Sequence, residues 1–197
     1  MADASADVEK SLKELVKNHL EKELTSGTFE CELPLPNTQG HGVSVRLYAP
    51  LENVCDLYAL HTVGLCSHSL KCPNEVVEDL GGRAEDYARM EILLLLPPGR
   101  WRRKRFDVVL HYINAFATKV AKKDGWIWQH HVLKRFHPFD IKKSTMLVES
   151  NLAEYNSGST KVTFFYLVPL TQEQTVAWRA VGGEKVLDAI RKAGQGV

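Results

Sequence analysis

The sequence predicts an α+β (mixed α/β) fold in which helices flank a central mixed β-sheet. Stretches with apolar residues at every second position alternate with stretches in which they recur every three or four residues, in the order helix, strands, helix, strands, helices. With 197 residues, 44% hydrophobic and 25% charged, the chain has the composition of a soluble globular protein. We expect an N-terminal amphipathic helix within residues 1–24 and one domain over residues 25–197.

The N-terminal helix and the strands after it follow from this periodicity. The helical stripe consists of Val8, Leu12, Leu15, Val16, His19 and Leu20. The predicted strands span residues 29–33, 43–48 and 57–63. In the first strand we expect Phe29, Cys31 and Leu33 on one face, opposite Glu30 and Glu32.

A continuous apolar segment, Met90 to Leu96, is interrupted only by Glu91. Apolar side chains on both faces predict a central strand that is covered on both sides, and Pro97-Pro98-Gly99 ends it. Before it, the acidic segment Asn74 to Leu80 predicts a short helical turn that ends at Gly81-Gly82.

The clearest helix of the second half is Phe106 to Lys123. Its apolar stripe consists of Phe106, Val109, Leu110, Ile113, Phe116, Ala117 and Val120. Two strands follow, Thr145–Val148 and Lys161–Leu170, with a loop containing Ser, Gly and Asn between them. The motif Thr171-Gln172-Glu173-Gln174 is a capping box that begins a helix, and Gly182-Gly183 separates this helix from the last one.

Charge is segregated along the chain although the formal net charge is only +1. Residues 1–99 carry 8 basic and 16 acidic side chains, residues 100–143 carry 12 and 3, and residues 144–197 carry 5 and 5. The balance of the whole chain excludes a globally basic nucleic-acid binder and an acidic disordered tail protein. The basic excess of the middle segment needs its own explanation.

Targeting and redox features predict an intracellular protein. The longest apolar run, Ile92 to Leu96, is far shorter than the about 20 residues of a spanning helix, so no membrane association is predicted. The N-terminus lacks the basic and apolar regions of a secretory signal. The chain's four cysteines are therefore expected to be reduced and mostly buried: Cys31, Cys55, Cys66 and Cys72.

Motifs of catalysis and cofactor binding are absent. The sequence has no Gly-x-Ser-x-Gly, Walker A, dinucleotide glycine or His-Glu-x-x-His pattern. His61, Cys66, His68 and Cys72 offer four candidate zinc ligands, but they lack the closely paired spacing of structural zinc sites, which favours buried thiols instead. A structural or surface role is likewise favoured for the remaining histidines singled out by the pattern, His111, His130, His131 and His137.

The sharpest signal is a basic corner, residues 100–105, at the start of the long helix. Its cations are Arg100, Arg102, Arg103, Lys104 and Arg105, and they flank Trp101. Cations near a helix N-terminus oppose the dipole at about 0.3–1 kcal/mol each, so helix stability did not select them. An aromatic loop, residues 126–131, follows the helix and contains Trp126, Trp128, His130 and His131.

Three explanations of the basic excess compete. In the first, the segment pairs inside the fold with acidic residues of the first half, namely Glu75, Glu78, Asp79, Glu85 and Asp86. In the second, it binds an acidic protein or peptide, with Trp101, Trp126 or Trp128 as anchors beside Arg. In the third, it binds RNA or DNA phosphates while bases stack on Trp, although no nucleic-acid module is recognised.

Three stretches, together with Gly183 before the last helix, resemble the suppressor-of-fused-like domain family. They are Tyr58-Ala59-Leu60-His61-Thr62-Val63-Gly64-Leu65-Cys66, Glu91-Ile92-Leu93-Leu94-Leu95-Leu96-Pro97-Pro98-Gly99-Arg100-Trp101 and Val162-Thr163-Phe164-Phe165-Tyr166-Leu167-Val168-Pro169-Leu170-Thr171-Gln172-Glu173-Gln174. The resemblance implies an α/β fold, no established catalytic residues and a role in protein binding. Many relatives have a Gly-His-Thr-like run where this chain has Gln129-His130-His131-Val132, and animal relatives restrain a transcription factor between this domain and a C-terminal one. We expect the chain to lack that second domain, so that partner and that binding mode do not carry over.

We therefore hypothesise a non-enzymatic intracellular domain that binds another protein or an acidic peptide in a regulatory or adaptor role. The predicted partner-binding residues are Arg100, Trp101, Arg102, Arg103, Lys104, Arg105, Trp126, Trp128, His130 and His131. No catalytic residue, metal ligand or cofactor is predicted. The expected location is the cytoplasm, with the nucleus as the alternative. Nucleic-acid binding by the basic segment is the alternative function, and a Cys/His-dependent enzyme is a less favoured one.

Overall fold

One mixed β-sheet organises the chain. The computed structural model describes residues 12–20, 22, 29–36, 42–49, 58–96, 103–121, 126–134, 144–157 and 160–193. The strands are β1 (Phe29–Pro34), β2 (Ser44–Tyr48), β3 (Tyr58–Val63), β4 (Met90–Leu96), β5 (Val132–Leu133), β6 (Ser144–Ser157) and β7 (Thr160–Leu170). The helices are α1 (residues 12–20), α2 (Asn74–Leu80), α3 (Arg103–Ala121), α4 (Gln172–Val181) and α5 (Gly183–Lys192), with 3₁₀ turns at Leu65–Ser67 and Ala84–Tyr87.

The order of the described strands in the sheet is β1-β2-β3-β4-β7-β6-β5. All neighbours are antiparallel except β4 and β7, which run parallel. Parallel neighbours need a crossover connection, and α3 is the helix of that connection. The predicted α+β fold, a central mixed sheet flanked by helices, is confirmed.

The central strand β4 is covered on both faces, as its sequence predicts. On one face Ile92 and Leu94 belong to the core cluster that contains the α3 stripe, including Ile113 and Phe116. On the other face α1 covers the first half of the sheet, and α5 covers β6 and β7 through Val186, Leu187 and Ile190. Each large apolar side chain buried in these layers contributes about 1.5–3 kcal/mol.

The helix predictions hold in most details, with two differences. The capping box is present: Thr171 Oγ1 accepts from the Gln174 N–H at 3.2 Å, and Gln174 Oε1 accepts from the Thr171 N–H at 2.8 Å. Helix α3 begins at Arg103 rather than Phe106, so Arg103, Lys104 and Arg105 form its first turn although cations there oppose the dipole. In α1 Leu15 is 51% exposed, since Val16 and Leu20 form the row that faces the sheet.

Two strand predictions are wrong. The predicted loop between the last strands is mostly β-structure, because β6 continues to Ser157 and pairs with β7 up to Thr160 after a bulge between Glu149 and Glu154. In β1 Phe29 does not share a buried face with Cys31. An irregularity in the register between these two residues turns the Phe29 ring outward, and 48% of the residue is exposed.

Candidate functional site

The aromatic loop, residues Trp126–His131, lies beside β5 at one edge of the sheet. Trp128 is its buried anchor: only 5% of the residue is exposed, and its ring meets Phe165 edge-on with 5.0 Å between centroids. The Trp126 ring is half-buried and stacks on Trp128 with centroids 6.0 Å apart. Burial removes Trp128 from the surface that the sequence proposed for a partner, whereas Trp126 keeps an exposed part.

Tyr87, which the sequence did not single out, ties the aromatic loop to the acidic first half of the chain. Its carbonyl oxygen accepts a hydrogen bond from Trp126 Nε1 at 3.1 Å, and its ring meets Trp128 edge-on at 5.7 Å. The Tyr87 hydroxyl donates to the carbonyl oxygen of Gly81 at 2.6 Å. Tyr87 precedes Trp126 by 39 residues, so no local pattern signals this contact.

His131 belongs to the outer side of the aromatic loop. Its Nδ1 accepts a hydrogen bond from the backbone N–H of Trp128 at 2.9 Å. Its ring meets Trp126 edge-on, with centroids 5.2 Å apart and planes at 84°. His131 and Trp126 therefore form one half-exposed aromatic surface on the buried Trp128.

His130 contacts different elements. Its backbone N–H donates to the carbonyl oxygen of Leu147 in β6 at 2.8 Å, and its own carbonyl oxygen accepts from Trp178 Nε1 in α4 at 3.0 Å. Burial lowers the pKa of the His130 imidazole, and the nearby Glu184 carboxylate opposes this shift. The two adjacent histidines thus contact different elements, and the structural or surface role favoured for them stays a prediction.

The structure locates part of the basic corner, through the backbone of α3. Arg100, Trp101 and Arg102 lie outside the described residues, and Arg103, Lys104 and Arg105 form the first turn of α3. Whether their side chains pair with acidic residues of the same chain, or with a protein partner or nucleic acid, stays a prediction.

Helix α3 separates the basic corner from the aromatic loop. It has 19 residues, so its first and last Cα atoms are about 27 Å apart. The basic corner follows the last residue of β4, whereas the aromatic loop is bonded to Tyr87, just before the first residue of β4. The described part of the basic corner, Arg103 to Arg105, is therefore separate from the aromatic loop.

Acidic side chains cluster on α2 and on the turn after it. Glu75, Glu78 and Asp79 are exposed, and no residue of α2 is buried. Asp86 is bound locally, because its Oδ1 accepts from Arg83 Nη2 at 2.9 Å, and this hydrogen bond lowers the pKa of the Asp86 carboxyl. Asp86 was predicted to pair with the basic segment, but its carboxylate binds Arg83.

Glu91, the one acidic residue of β4, is wholly buried and fixes the turn after β3. Its Oε1 accepts from the backbone N–H groups of Gly64 at 2.9 Å and Cys66 at 3.1 Å, and its Oε2 accepts from the Thr62 hydroxyl. Gly64 adopts φ 94°, a left-handed conformation that favours glycine. Burial raises the pKa of the Glu91 carboxyl, and the hydrogen bond from Thr62 opposes this shift. The sequence signal was a lone Glu in an apolar strand.

The candidate zinc ligands do not converge. Within the described part of the chain, no group of three or more His, Cys, Asp and Glu side chains could hold a metal ion. His61 is buried and stacks on Tyr48 at 5.5 Å, and burial lowers its pKa to about 4. Burial also raises the pKa of the Cys66 thiol. At neutral pH His61 is a neutral core residue and Cys66 is an unreactive thiol.

Known proteins match both the sequence and the fold. The sequence profile described as Suppressor of fused protein (SUFU) matches residues 39–196. A solved structure described as the Sufu-Fu complex crystal structure superposes with a TM-score of 0.61 at 13% sequence identity, covering 92% of this chain and 83% of that chain. No curated protein matches the chain. None of the helices described in the structure is long and apolar enough to cross a membrane.

These matches assign the class of the domain. The fold is a suppressor-of-fused-like α+β domain, and at 13% identity the structural likeness carries the fold alone. Because the profile match spans most of the sequence, the chain belongs to the Suppressor of fused protein family. The resemblance found in the sequence is thereby confirmed.

Proposed function

We propose that this protein is a non-enzymatic binding domain that recognises another protein in a regulatory or adaptor role. The partner contacts the exposed parts of Trp126, His130 and His131, and an acidic segment of the same partner contacts the basic corner. One observation carries this proposal: the half-exposed Trp126 and His131 rest on a buried Trp128 and are held by hydrogen bonds at both ends of the loop. Aromatic side chains on a rigid support are typical anchors of protein interfaces.

Family membership supports a binding role. The similar solved structure is described as a complex of Sufu with Fu, so a protein of this fold does bind another protein. The buried, neutral His61 and the buried Cys66 support a non-enzymatic role, because neither side chain is available for proton transfer or nucleophilic attack at neutral pH.

The length of α3 constrains the proposed partner. Because the first and last Cα atoms of α3 are about 27 Å apart, we expect a partner that is a folded domain or an extended segment of at least about eight residues. Such a partner presents acidic residues to the basic corner and an apolar or aromatic group to Trp126.

The charge component is tested with Arg102→Glu/Arg103→Glu. Its matched control is Lys185→Glu/Lys192→Glu, which makes the same change of charge at two exposed residues of α5. Binding of a fluorescein-labelled peptide of alternating Asp and Ser is measured by anisotropy at low salt. We expect the first variant to weaken binding about tenfold or more and the control to leave it unchanged.

The protein component is tested by affinity capture with wild type, with the two charge variants and with His131→Ala. A protein that wild type and the control retain, and that both site variants lose while still folded, is the expected result. Identical captured sets from all four proteins would contradict the proposal. RNA or DNA retained in a gel shift, with binding that falls steeply with salt, would favour the nucleic-acid alternative.

A further inference from the structure

The inner side of the aromatic loop holds an unusual backbone conformation. His130 has φ 62°, and it is the one described residue other than glycine with positive φ. Residues with a Cβ adopt this left-handed conformation at a cost, so surrounding contacts must maintain it.

On one side, strand β6 provides such contacts. The His130 N–H donates to the carbonyl oxygen of Leu147, and the Leu147 N–H donates to the carbonyl oxygen of His131 at 3.0 Å. The side-chain oxygen of Gln129 also accepts from the backbone N–H of Glu149. These bonds attach the loop to the sheet.

On the other side, the corner between α4 and α5, residues 178–183, holds the same residue. Trp178 Nε1 donates to the His130 carbonyl oxygen, as described above. Gly183 approaches the His130 side chain so closely that a methyl group on Gly183 would lie 2.4 Å from His130 Cβ and 2.7 Å from Cγ. Glycine is required at Gly183 by this approach, since any other side chain would displace His130.

We propose that the α4–α5 corner is a positioning element for the aromatic loop, in which Trp178 and Gly183 hold His130 in the conformation that presents Trp126 and His131 to a partner. The inference rests on the proposed function in so far as the loop is the binding surface. The coupling is reciprocal, so a partner bound at the loop stabilises the corner, and a displacement of the corner weakens binding at the loop.

The decisive test is a double-mutant cycle between Gly183 and His130. We expect Gly183→Ala to speed hydrogen exchange of the His130 and Leu147 amides about tenfold, because the new methyl group forces His130 away. In a His130→Gly background, which lacks the Cβ that the methyl group meets, the same substitution should change the exchange less than about twofold. His130→Ala keeps the Cβ, so Gly183→Ala should remain disruptive in that background.

Trp178→Phe tests the hydrogen bond separately, because it keeps an aromatic ring and removes the indole N–H. We expect exchange at the loop amides to rise about fivefold, the effect of losing one hydrogen bond. The amide of Ile92 in the sheet centre reports global stability and should not change. Val16→Ala, in the separate core cluster beneath α1, is the control: it loosens a buried layer and should leave the loop amides unchanged.

Failure of this inference and failure of the proposed function give different results. Equal effects of Gly183→Ala in the wild-type and His130→Gly backgrounds would overturn the positioning role, whatever the binding data. Faster exchange in the loop, with affinity capture identical to that of wild type, would uphold the positioning role and show that the loop is not the binding surface.

Discussion

The two edges of the sheet are protected in different ways. At the β1 edge, Leu35 N–H donates inward to the carbonyl oxygen of Val43, so the missing N–H of Pro34 falls on the outward side. Charged Glu30 and the irregular register after Phe29 also oppose pairing with another strand. At the β5 edge the described residues include only two in a strand, Val132 and Leu133, and long-range hydrogen bonds hold the aromatic loop beside them. Residues of β1 itself thus oppose pairing at the first edge, whereas the second edge presents the side chains of a loop that distant residues hold in place.

The largest expected difference between the edges is in packing. Trp128→Ala should lower the free energy of unfolding by about 3–5 kcal/mol, because it empties a buried site between Phe165 and Tyr87. Phe29→Ala should cost about 1 kcal/mol, since about half of that residue is exposed and its ring contacts Tyr48 and Arg46 at the edge of the sheet. Urea denaturation of both variants measures the two losses. Equal losses would show that the β1 edge is as firmly packed as the β5 edge.

Acid should loosen the half of the sheet next to the β1 edge first. The pKa of His61 in β3 is lowered by burial from 6.5 to about 4. Between these pH values the unfolded chain binds a proton that the folded chain excludes. Stability is therefore fully present above pH 6.5 and falls by about 3 kcal/mol as the pH approaches 4.

The Glu91 carboxyl works in the opposite direction, because its raised pKa adds stability below pH 4.5 that is lost as the pH rises.

The difference in free energy of unfolding between wild type and His61→Leu isolates the contribution of the histidine, and urea denaturation from pH 7 to pH 4 measures it. A parallel decline of the two proteins would rule out His61 as the cause. Amide exchange at low pH should rise in β2 and β3 before it rises in β6.

The smallest effect on stability is expected from Pro34→Val, which restores an outward N–H at the β1 edge. The free energy of unfolding should change by no more than about 0.5 kcal/mol. Self-association at high concentration should nevertheless increase, because an edge strand with a free donor can pair with a second copy. Light scattering after size exclusion measures this, with Pro36→Val, outside the strand, as the control. A monomeric Pro34→Val protein would show that charge and register alone protect the edge.

Local patterns predicted the elements whose signals are local. The apolar run of β4, the stripe of α3, the capping box at Thr171 and the glycines after α2 each depend on residues within a few positions of one another. The length of β6 was missed because Ser, Gly and Asn are typical of turns, while cross-strand pairing with β7 overrides that preference.

The candidate site was predicted only in part, for the same physical reason. The Trp and His residues of the aromatic loop stood out by their chemistry, but their burial and direction depend on Tyr87 and Trp178, at 39 and 48 residues from their hydrogen-bond partners. No periodicity encodes such contacts. The basic corner and the loop are separated because α3 runs between them beside β4. The residue pattern predicts the helix but not its path.

The bonds of Glu91 have one more consequence. They join the chain at Gly64 and Cys66 to the start of β4, so the segment between them begins and ends at a single carboxylate. Gly81 and Gly82 are exposed within this segment. A methyl group on Gly81 would meet nothing within 4 Å, whereas one on Gly82 would lie 3.2 Å from the Asp86 carboxylate, and the Gly81 carbonyl oxygen accepts from the Tyr87 hydroxyl. Because the entropy of closing a loop grows only slowly with its length, we expect foreign residues spliced in at these glycines to extend into solvent while the sheet stays assembled, as long as the bond from Tyr87 to Gly81 is kept.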